Sequence, residues 1–308
     1  MSSEDILSHA AHLYYVLGMT QQETAERLGV PRIKAHRLLA EARKRGIVQI
    51  TINTSSSSQI ELETKLAERY DLSIISISPS DTSPDMSLSK VIGHYAAPII
   101  QPMFRKGMTI AVAWGYTLKA LASTLEPAQF EDIDVVPLLG SLSRRSTIDR
   151  FEAATKLAHQ LEAECYYLPS PIICDSAQAR EVISTQPMIR EVLEKAKAAD
   201  LALASVGGIE SSTLRAVGFL NEKEYKDVYA AGAIGNFFGY YLDRDGNILD
   251  HPINDRVIGL RPDEALKIPK RIMISGGKNK VQILRKLLQL RWPTGLITDE
   301  TTARALLT

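Results

Sequence analysis

Two cysteines in 308 residues, Cys165 and Cys174, with no CxxC spacing, leave neither a disulfide framework nor a thiolate zinc site. A reducing compartment with two structural thiols is the expectation. Net charge is lacking too, because 36 Lys and Arg balance 36 Asp and Glu. The molecule as a whole has no general attraction for nucleic acid, so any DNA affinity must come from a local patch. No apolar run is long enough to span a bilayer, and the opening MSSEDILSHA lacks the apolar core of a signal peptide. A cytoplasmic protein with no membrane partner is therefore expected. Of the six histidines, His9 and His12 stand three apart, but no carboxylate or thiol is placed to complete a metal site, and none is expected. The phosphate-binding patterns GxxxxGK followed by Ser or Thr, and GxGxxG, are also missing, which argues against nucleotide hydrolysis and against a dinucleotide cofactor; no cofactor is expected. No repeat of solenoid period occurs.

What remains is the composition of a soluble globular protein, 45% apolar and 23% charged, at a length that suits about two domains. Residues 19–45, MTQQETAERLGVPRIKAHRLLAEARKR, carry the clearest signal. Thr20 followed by Glu23 is a capping box, with Ala25 and Leu28 facing inward behind it. Gly29 ends that helix and Pro31 suits the first turn of the next. Ala35, Leu38, Leu39 and Ala42 then recur at the spacing of one apolar helical face. Arg32, Lys34, His36 and Arg37 are left pointing outward, with Arg43 and Lys44 further along. Two helices, a glycine turn and a basic second helix predict a helix-turn-helix whose second helix enters the major groove. Thr20, Gln21 and Gln22, at the N-terminus of the first helix of the pair, suit phosphate contacts. A helical hairpin with a solvated basic face is the plainer alternative, but acids early and bases late in the segment favour DNA. A preceding helix with Ile6, Leu7, Ala10, Leu13, Tyr14 and Leu17 at helical spacing would complete a three-helix core. The alternation in Ile47–Ile52 predicts a strand that could serve as a wing or a dimer contact.

Residues 54–59, rich in serine, read as a linker between a DNA-binding domain over 1–53 and a larger domain over 60–308. Beyond a helix at Ile60–Tyr70, strands alternate with helices. Strands are predicted at Leu72–Ile77, Thr109–Ala113, Asp134–Leu139, Cys165–Leu168, Leu201–Val206, Asn236–Leu242 and Arg271–Ser275. Helices are predicted at Leu88–Phe104, Tyr116–Leu125, Phe151–Glu164, Ala177–Ile183, Pro187–Ala198, Lys280–Leu290 and Asp299–Leu307. Continuous apolar strands separated by helices imply an α/β domain with a parallel sheet. Its ligand crevice should lie beyond the carboxyl ends of the strands. Four loops there have suggestive chemistry: Ala113–Thr117, Gly140–Ser146 with its two arginines, Val206–Ile209, and Ser275–Lys278. Glycines after strands let backbone amides close on an anion, and helix N-termini favour negative charge. Each loop alone is a weak signal; four at equivalent strand ends point to a phosphorylated or polyhydroxylated ligand. Trp114 could pack or stack on such a ligand.

The segments GMTQQETAERLGVPRIKAHRLLAEARKRGIVQI, AWGYTL, VVPLLGSLSR, AAGAIGNFFGYYLDRDGNIL, RVIGL, SGGKNK and GLITDETTARALL, in this order, resemble the SorC family of bacterial sugar-responsive transcription regulators. The likeness covers nearly the whole chain. It implies an N-terminal helix-turn-helix domain plus a Rossmann-like α/β effector domain resembling ribose-5-phosphate isomerase and glucosamine-6-phosphate deaminase. It also implies a homo-oligomer, usually a tetramer, that binds operator DNA and controls a carbohydrate operon in response to a phosphorylated sugar or related effector. The resemblance places a recognition helix at Arg32–Arg45 and an effector pocket around Gly115, Tyr116, Thr117, Ser141, Arg144, Gly207, Gly208, Asn236 and Lys278. The chain departs from the family pattern at Ala113, where many relatives have glycine, at Tyr116, where many have arginine, and at Asn236, where an acid is common. An amide can donate and accept hydrogen bonds but supplies no negative charge. A competing reading, a sugar-phosphate isomerase or deaminase with an accessory DNA module, would need a general base. Asp175, Asp243, Asp245 and Lys278 are available, though none sits in a motif with an assignable catalytic role. No catalytic residue is assigned, and no enzyme activity is expected.

Overall fold

Thr20 and Gly29 bracket a helix as their chemistry requires. The computed structural model describes residues 3–48, 57–80, 86–141, 153–210, 213–216 and 218–308. The chain divides into two compact units, Met1–Ser55 and Ser56–Thr308. In the first, α1 (Ser3–Ala11) continues into a π-helical turn (His12–Val16), followed by α2 (Gln21–Leu28) and α3 (Arg32–Lys44). The Glu23 amide donates to Thr20 Oγ1 at 3.2 Å while the Thr20 amide donates to the Glu23 carboxylate at 2.7 Å, closing both halves of the capping box. Gly29 takes the left-handed conformation (φ 64°) and its amide closes the last turn of α2. Pro31 stands at the N-cap of α3, one residue ahead of its first turn. Leu7, Ala10, Leu13, Ala25, Ala35, Leu39 and Ala42 are buried. Leu17, predicted inward, is 54% exposed. The π turn explains the difference, since the Leu17 amide reaches back five residues to the His12 carbonyl and one extra residue rotates the helical phase. Ile47 and Val48 are half-buried and outside any strand, and the rest of the strand predicted over Ile47–Ile52 lies outside the described residues. Thr20→Ala should weaken α2 by about 1 kcal/mol, read as roughly fivefold faster amide exchange across Gln21–Leu28 in the intact chain.

The second unit opens with α4 (Ser57–Tyr70) and β1 (Ile74–Ser78), then α5 (Leu88–Ile100), β2 (Thr109–Val112), α6 (Tyr116–Thr124) and β3 (Asp134–Pro137). It continues with α7 (Ala154–Leu161), β4 (Glu164–Cys165), α8 (Ala177–Ser184), α9 (Pro187–Lys197), β5 (Leu201–Ala204), β6 (Gly207–Gly208), α10 (Thr213–Ala216) and α11 (Glu222–Ala230). A hairpin of β7 (Gly235–Phe237) and β8 (Tyr240–Leu242) precedes β9 (Lys270–Ile274), α12 (Val281–Gln289), β10 (Gly295–Asp299) and α13 (Glu300–Leu307). Seven strands form one parallel sheet in the order β1-β10-β9-β5-β2-β3-β4. The fold is thus mixed α/β around a parallel sheet. β5 and β10 are buried at every residue, which for a parallel strand means that both faces are covered. From β2 the chain builds outward through β3 to β4, whereas β5, β9, β10 and β1 lie on the other side. The order therefore reverses between β2 and β5, and that is where a crevice opens beyond the carboxyl ends.

Two sequence expectations change here. Asn236–Leu242 is not one strand but the antiparallel β7–β8 hairpin, paired in turn with β6. Phe238 and Gly239 both adopt positive φ, 52° and 85°, and this reverses the chain in two residues. The second is an addition: β10 was not among the predicted strands, yet it lies between β1 and β9. β6 and the helices α10 and α11 were likewise not predicted. Predicted and observed ends elsewhere differ by a few residues, most at Phe151–Glu164, where the helix spans Ala154–Leu161 and residues 151–152 lie outside the described set.

Candidate functional site

The loop after β2 enters α6 through Gly115, whose φ of 140° is open to glycine but costly for a side chain. That turn brings the start of α6 to the wall of a cavity at the β2–β5 reversal. Trp114, Gly115, Tyr116 and Thr117 form one wall. Ser205, Val206 and Gly207, following β5, form a second, and Asn236, Phe238 and Gly239 of the hairpin a third. Ala113 just after β2, Ser89 in the first turn of α5, Leu139 after β3 and Lys280 after β9 complete the lining.

The hairpin holds Asn236 in place. Phe237 stacks on Phe238 with centroids 4.0 Å apart and meets Trp292 edge-on at 4.5 Å. On the outer side, Asn254 accepts from the Tyr241 amide at 2.8 Å and donates to the Tyr241 and Leu249 carbonyls. Asn236 itself is 7% exposed, and its Nδ2 is buried without a hydrogen-bond partner. A buried donor left open costs free energy until something accepts from it, so this amide is a ready contact for a ligand oxygen. Gly207 makes room for it, since a Cβ there would come within 2.4 Å of Asn236 Nδ2.

Lys280 closes a 3-10 turn, Lys278–Lys280, that follows the Gly276–Gly277 loop. Burial pushes its ammonium down to about 8, and the nearby Asp299 carboxylate pulls the other way. The turn can approach because residue 208 is glycine; a Cβ there would sit 2.3 Å from the Asn279 carbonyl oxygen. The polar side chains of the lining are the Asn236 amide, the hydroxyls of Ser89, Tyr116, Thr117 and Ser205, the Trp114 indole and one ammonium, with no carboxylate among the described lining residues. Such a set complements an oxygen-rich, anionic ligand. No group of three or more His, Cys, Asp or Glu among the described residues is placed to hold a metal ion.

Of the nine pocket positions that the resemblance implies, Gly115, Tyr116, Thr117, Gly207 and Asn236 line one cavity. Gly208 acts one step removed, through the close approach of Asn279. Ser141 lies outside the lining; its amide donates to Ser170 and its carbonyl accepts from Ile172, tying the end of the β3 loop to residues 170–172. Arg144 lies outside the described residues. Lys278 requires a correction: it is exposed, and Lys280 is the lysine in the cavity. In a 3-10 turn each residue rotates by about 120°, so side chains two apart face different ways. The three aspartates weighed as general bases are also outside the lining, and Asp243 instead accepts from the Asp245 and Asn247 amides in the turn after β8.

Residues 55–308 match a protein family described as "Putative sugar-binding domain". The transcriptional regulator LsrR of Klebsiella pneumoniae subsp. pneumoniae is 30% identical over 313 aligned residues, covering 100% of this chain and 94% of that protein. The deoxyribonucleoside regulator of Bacillus subtilis is 31% identical, covering 96% and 95%. The crystal structure of the full-length sorbitol operon regulator SorC from Klebsiella pneumoniae superposes with a TM-score of 0.77 across 100% of both chains, at 23% identity, and so shares the fold. The chain belongs to the SorC family of sugar-binding transcriptional regulators.

In this SorC-family chain the first unit displays Thr20, Gln22, Arg32, Lys34, His36, Arg37, Arg43 and Lys44 as exposed side chains, with Gln21 half-buried. Ile33 was missed by sequence reasoning: it is 72% exposed between Arg32 and Lys34 on α3, where an aliphatic side chain has no packing role. In the pocket, Ser89, Ser205, Phe238 and Lys280 were missed. Ser205 directly precedes a glycine loop that the sequence did point to, and Lys280 lies two residues beyond another. Ser89 and Phe238 carry no local signal, because the fold alone brings α5 and the hairpin to this crevice.

Proposed function

We propose that this SorC-family regulator reads operator DNA with α2 and α3 as a helix-turn-helix and controls a carbohydrate-utilisation operon. The pocket of the second unit then takes a phosphorylated sugar or polyol-derived effector. The second unit is, in this reading, a Rossmann-like effector domain of the kind found in ribose-5-phosphate isomerase and glucosamine-6-phosphate deaminase, housed in a cytoplasmic homo-oligomer, a tetramer. The observation that carries the effector reading is the buried, unpartnered Asn236 Nδ2 facing the same cavity as the Lys280 ammonium and the start of α6. Gly115, Tyr116, Thr117, Gly207, Gly208, Asn236 and Lys280 form the effector site in this reading, together with Ser141 and Arg144. The relative named as a deoxyribonucleoside regulator supports a sugar-derived effector.

On the DNA side, Thr20, Gln21 and Gln22 meet phosphates at the start of α2, and Arg43 and Lys44 do so from the end of α3. Arg32, Lys34, His36 and Arg37 face base edges, and Ile33 packs on a thymine methyl. The experiment is fluorescence anisotropy on DNA from upstream of the chain's own operon at one fixed salt concentration. Ribose 5-phosphate, 2-deoxyribose 5-phosphate and sorbitol 6-phosphate are added in turn. Binding beyond that to random DNA, shifted by one of these compounds, is the expected result. Equal binding to any sequence under every compound would remove the reading. Arg37→Ala should cost about 1–3 kcal/mol of specific binding and relax preference at one base pair, while affinity for random DNA falls far less. The same compounds incubated with the protein should be recovered unchanged; turnover would instead favour an enzyme.

A further inference from the structure

Asp299 is the last residue of β10, is 1% exposed, and has no part in the lining of the pocket. Its carboxylate gathers three separate segments. Oδ1 accepts from the Gly277 amide at 3.1 Å and from Thr302 Oγ1 at 2.6 Å. Oδ2 accepts from the Thr302 amide at 3.1 Å, capping α13, and from Ser80 Oγ at 3.1 Å. Ser80 in turn accepts from the Thr301 amide at 2.7 Å. The Gly277 amide also donates to Thr302 Oγ1 at 2.8 Å, so the Gly276–Gly277 loop that leads to Lys280 rests on Asp299 together with the Thr302 hydroxyl that Asp299 holds. The fit leaves no slack, since a Cβ on Gly276 would meet Asp299 Oδ1 at 2.2 Å.

Ser80 follows β1 by two residues, and β1 is the edge strand of the sheet. Its outward-facing backbone groups would be open to any passing strand, but α4 covers them. Glu63 accepts from the Ile77 amide at 2.9 Å, and Gln59 donates to the Ile77 carbonyl and to Tyr95 at 3.3 Å. Both groups lie in the first two turns of α4, the helix that starts two residues after the boundary with the first unit. A continuous series of hydrogen bonds and short backbone steps thus runs from Lys280 through Gly277, Asp299, Ser80 and Ile77 to the start of α4.

We propose that Asp299 is a positioning residue that couples the pocket to α4, so that displacement of the Gly277–Lys280 turn is felt at Gln59 and Glu63. Because the carboxylate is shared, a shift of the loop must break a charge-assisted bond or carry Ser80 and β1 with it. Buried carboxylates are poor at the first option, because an acceptor stripped of its donors in a dry site is costly. The inference rests on the effector reading for its biological meaning, but its test contains neither DNA nor effector, so the two can fail separately.

The test is hydrogen–deuterium exchange on the intact chain, comparing the unaltered protein with Glu63→Gln and Ser80→Ala. Glu63 touches neither the pocket nor its loop, so an effect at the loop must travel. Glu63→Gln is expected to speed exchange of the Gly276–Lys280 amides by at least about fivefold, the low end of an energetic coupling between sites. Ser80→Ala should speed exchange at both ends, Gln59–Glu63 and Gly276–Lys280, while β3 amides stay unchanged. Acceleration confined to residues next to each substitution would overturn the proposal, as would acceleration spread evenly over the sheet. Asp299→Asn supplies a separate readout: asparagine keeps the helix cap but not the charge. The pH profile of Lys280 acylation should then move to lower pH, and a residue that only packs would leave it in place.

Discussion

Lys280→Met is expected to raise the stability of the second unit while weakening its affinity for an anionic effector. The sign follows from protonation. In the folded chain the Lys280 ammonium is pushed down to about 8; in the unfolded chain it titrates near 10.4. Below pH 8 both states are charged, and the folded state holds its cation at a cost. Between about pH 8 and 10.4 the folded state is neutral while the unfolded state still binds the proton, so stability of the unaltered protein rises across that window. Methionine removes the cost at its source and keeps the length of the side chain. At pH 7 the variant should gain about 2 kcal/mol, or roughly 5 °C in thermal midpoint, and the gain should vanish above about pH 10.4. Effector affinity should move the other way, falling about 30-fold at pH 7 through loss of a charge-assisted contact. In the unaltered protein, affinity for a phosphorylated compound should fall as pH rises through 8. Thermal scans at pH 7 and above 10.4, beside an affinity titration across pH 7 to 9, decide the matter. Unchanged stability together with unchanged affinity would show that this amine neither suffers from burial nor meets the ligand.

Gly93→Ala should strongly destabilise the second unit. α5 crosses α6 at this residue so closely that a Cβ would lie 2.4 Å from the Thr117 carbonyl oxygen, 2.6 Å from the Ala120 Cβ and 2.9 Å from the Leu121 amide nitrogen. Two of the three are backbone atoms within a helix, which have no rotamer to retreat into. The helices must separate, at a cost of about 3 kcal/mol. Because Thr117 belongs both to that crossing and to the pocket wall, the displacement also moves the start of α6. Urea unfolding should show a lower midpoint at unchanged slope, and ligand affinity should fall even where the variant is fully folded. A midpoint within error of the unaltered protein would mean that α5 slides without resistance.

How much of this was legible in the sequence depended on how local each feature is. Thr20, Glu23, Gly29 and the period of α3 are neighbours in the chain, and they fixed the ends of α2 and the start of α3 closely. The alternation of strand and helix was legible because buried parallel strands are continuously apolar. β10 escaped, since GLITD is short, follows Pro293 and runs straight into a helix. The hairpin was hidden because Phe238, not an Asn or Asp, takes the first positive-φ position of its turn. The glycine loops pointed to strand ends at which the cavity lies. They did not say which lysine turns inward, because that depends on the 3-10 turn that Gly208 lets approach. Asp299 carried no local signal for the bonds it makes to the Gly277 loop; in the sequence it reads as the first residue of a helix, and the structure makes it that helix's N-cap.

The position of β10 has a consequence for synthesis. β1 finds its sheet partner only at Gly295–Asp299, and Ser73 Oγ donates to the Thr294 carbonyl across 221 residues of chain. The far end of α4 waits as long, since Tyr70 donates to the Leu306 carbonyl at 2.8 Å. At about 5–20 residues per second, the ribosome takes roughly ten to forty seconds to supply those partners. The first unit has a helical core of its own and can close as soon as it emerges. A nascent or truncated chain ending before Gly295 would thus carry a finished N-terminal unit beside an unpaired β1, open to proteases and to other strands.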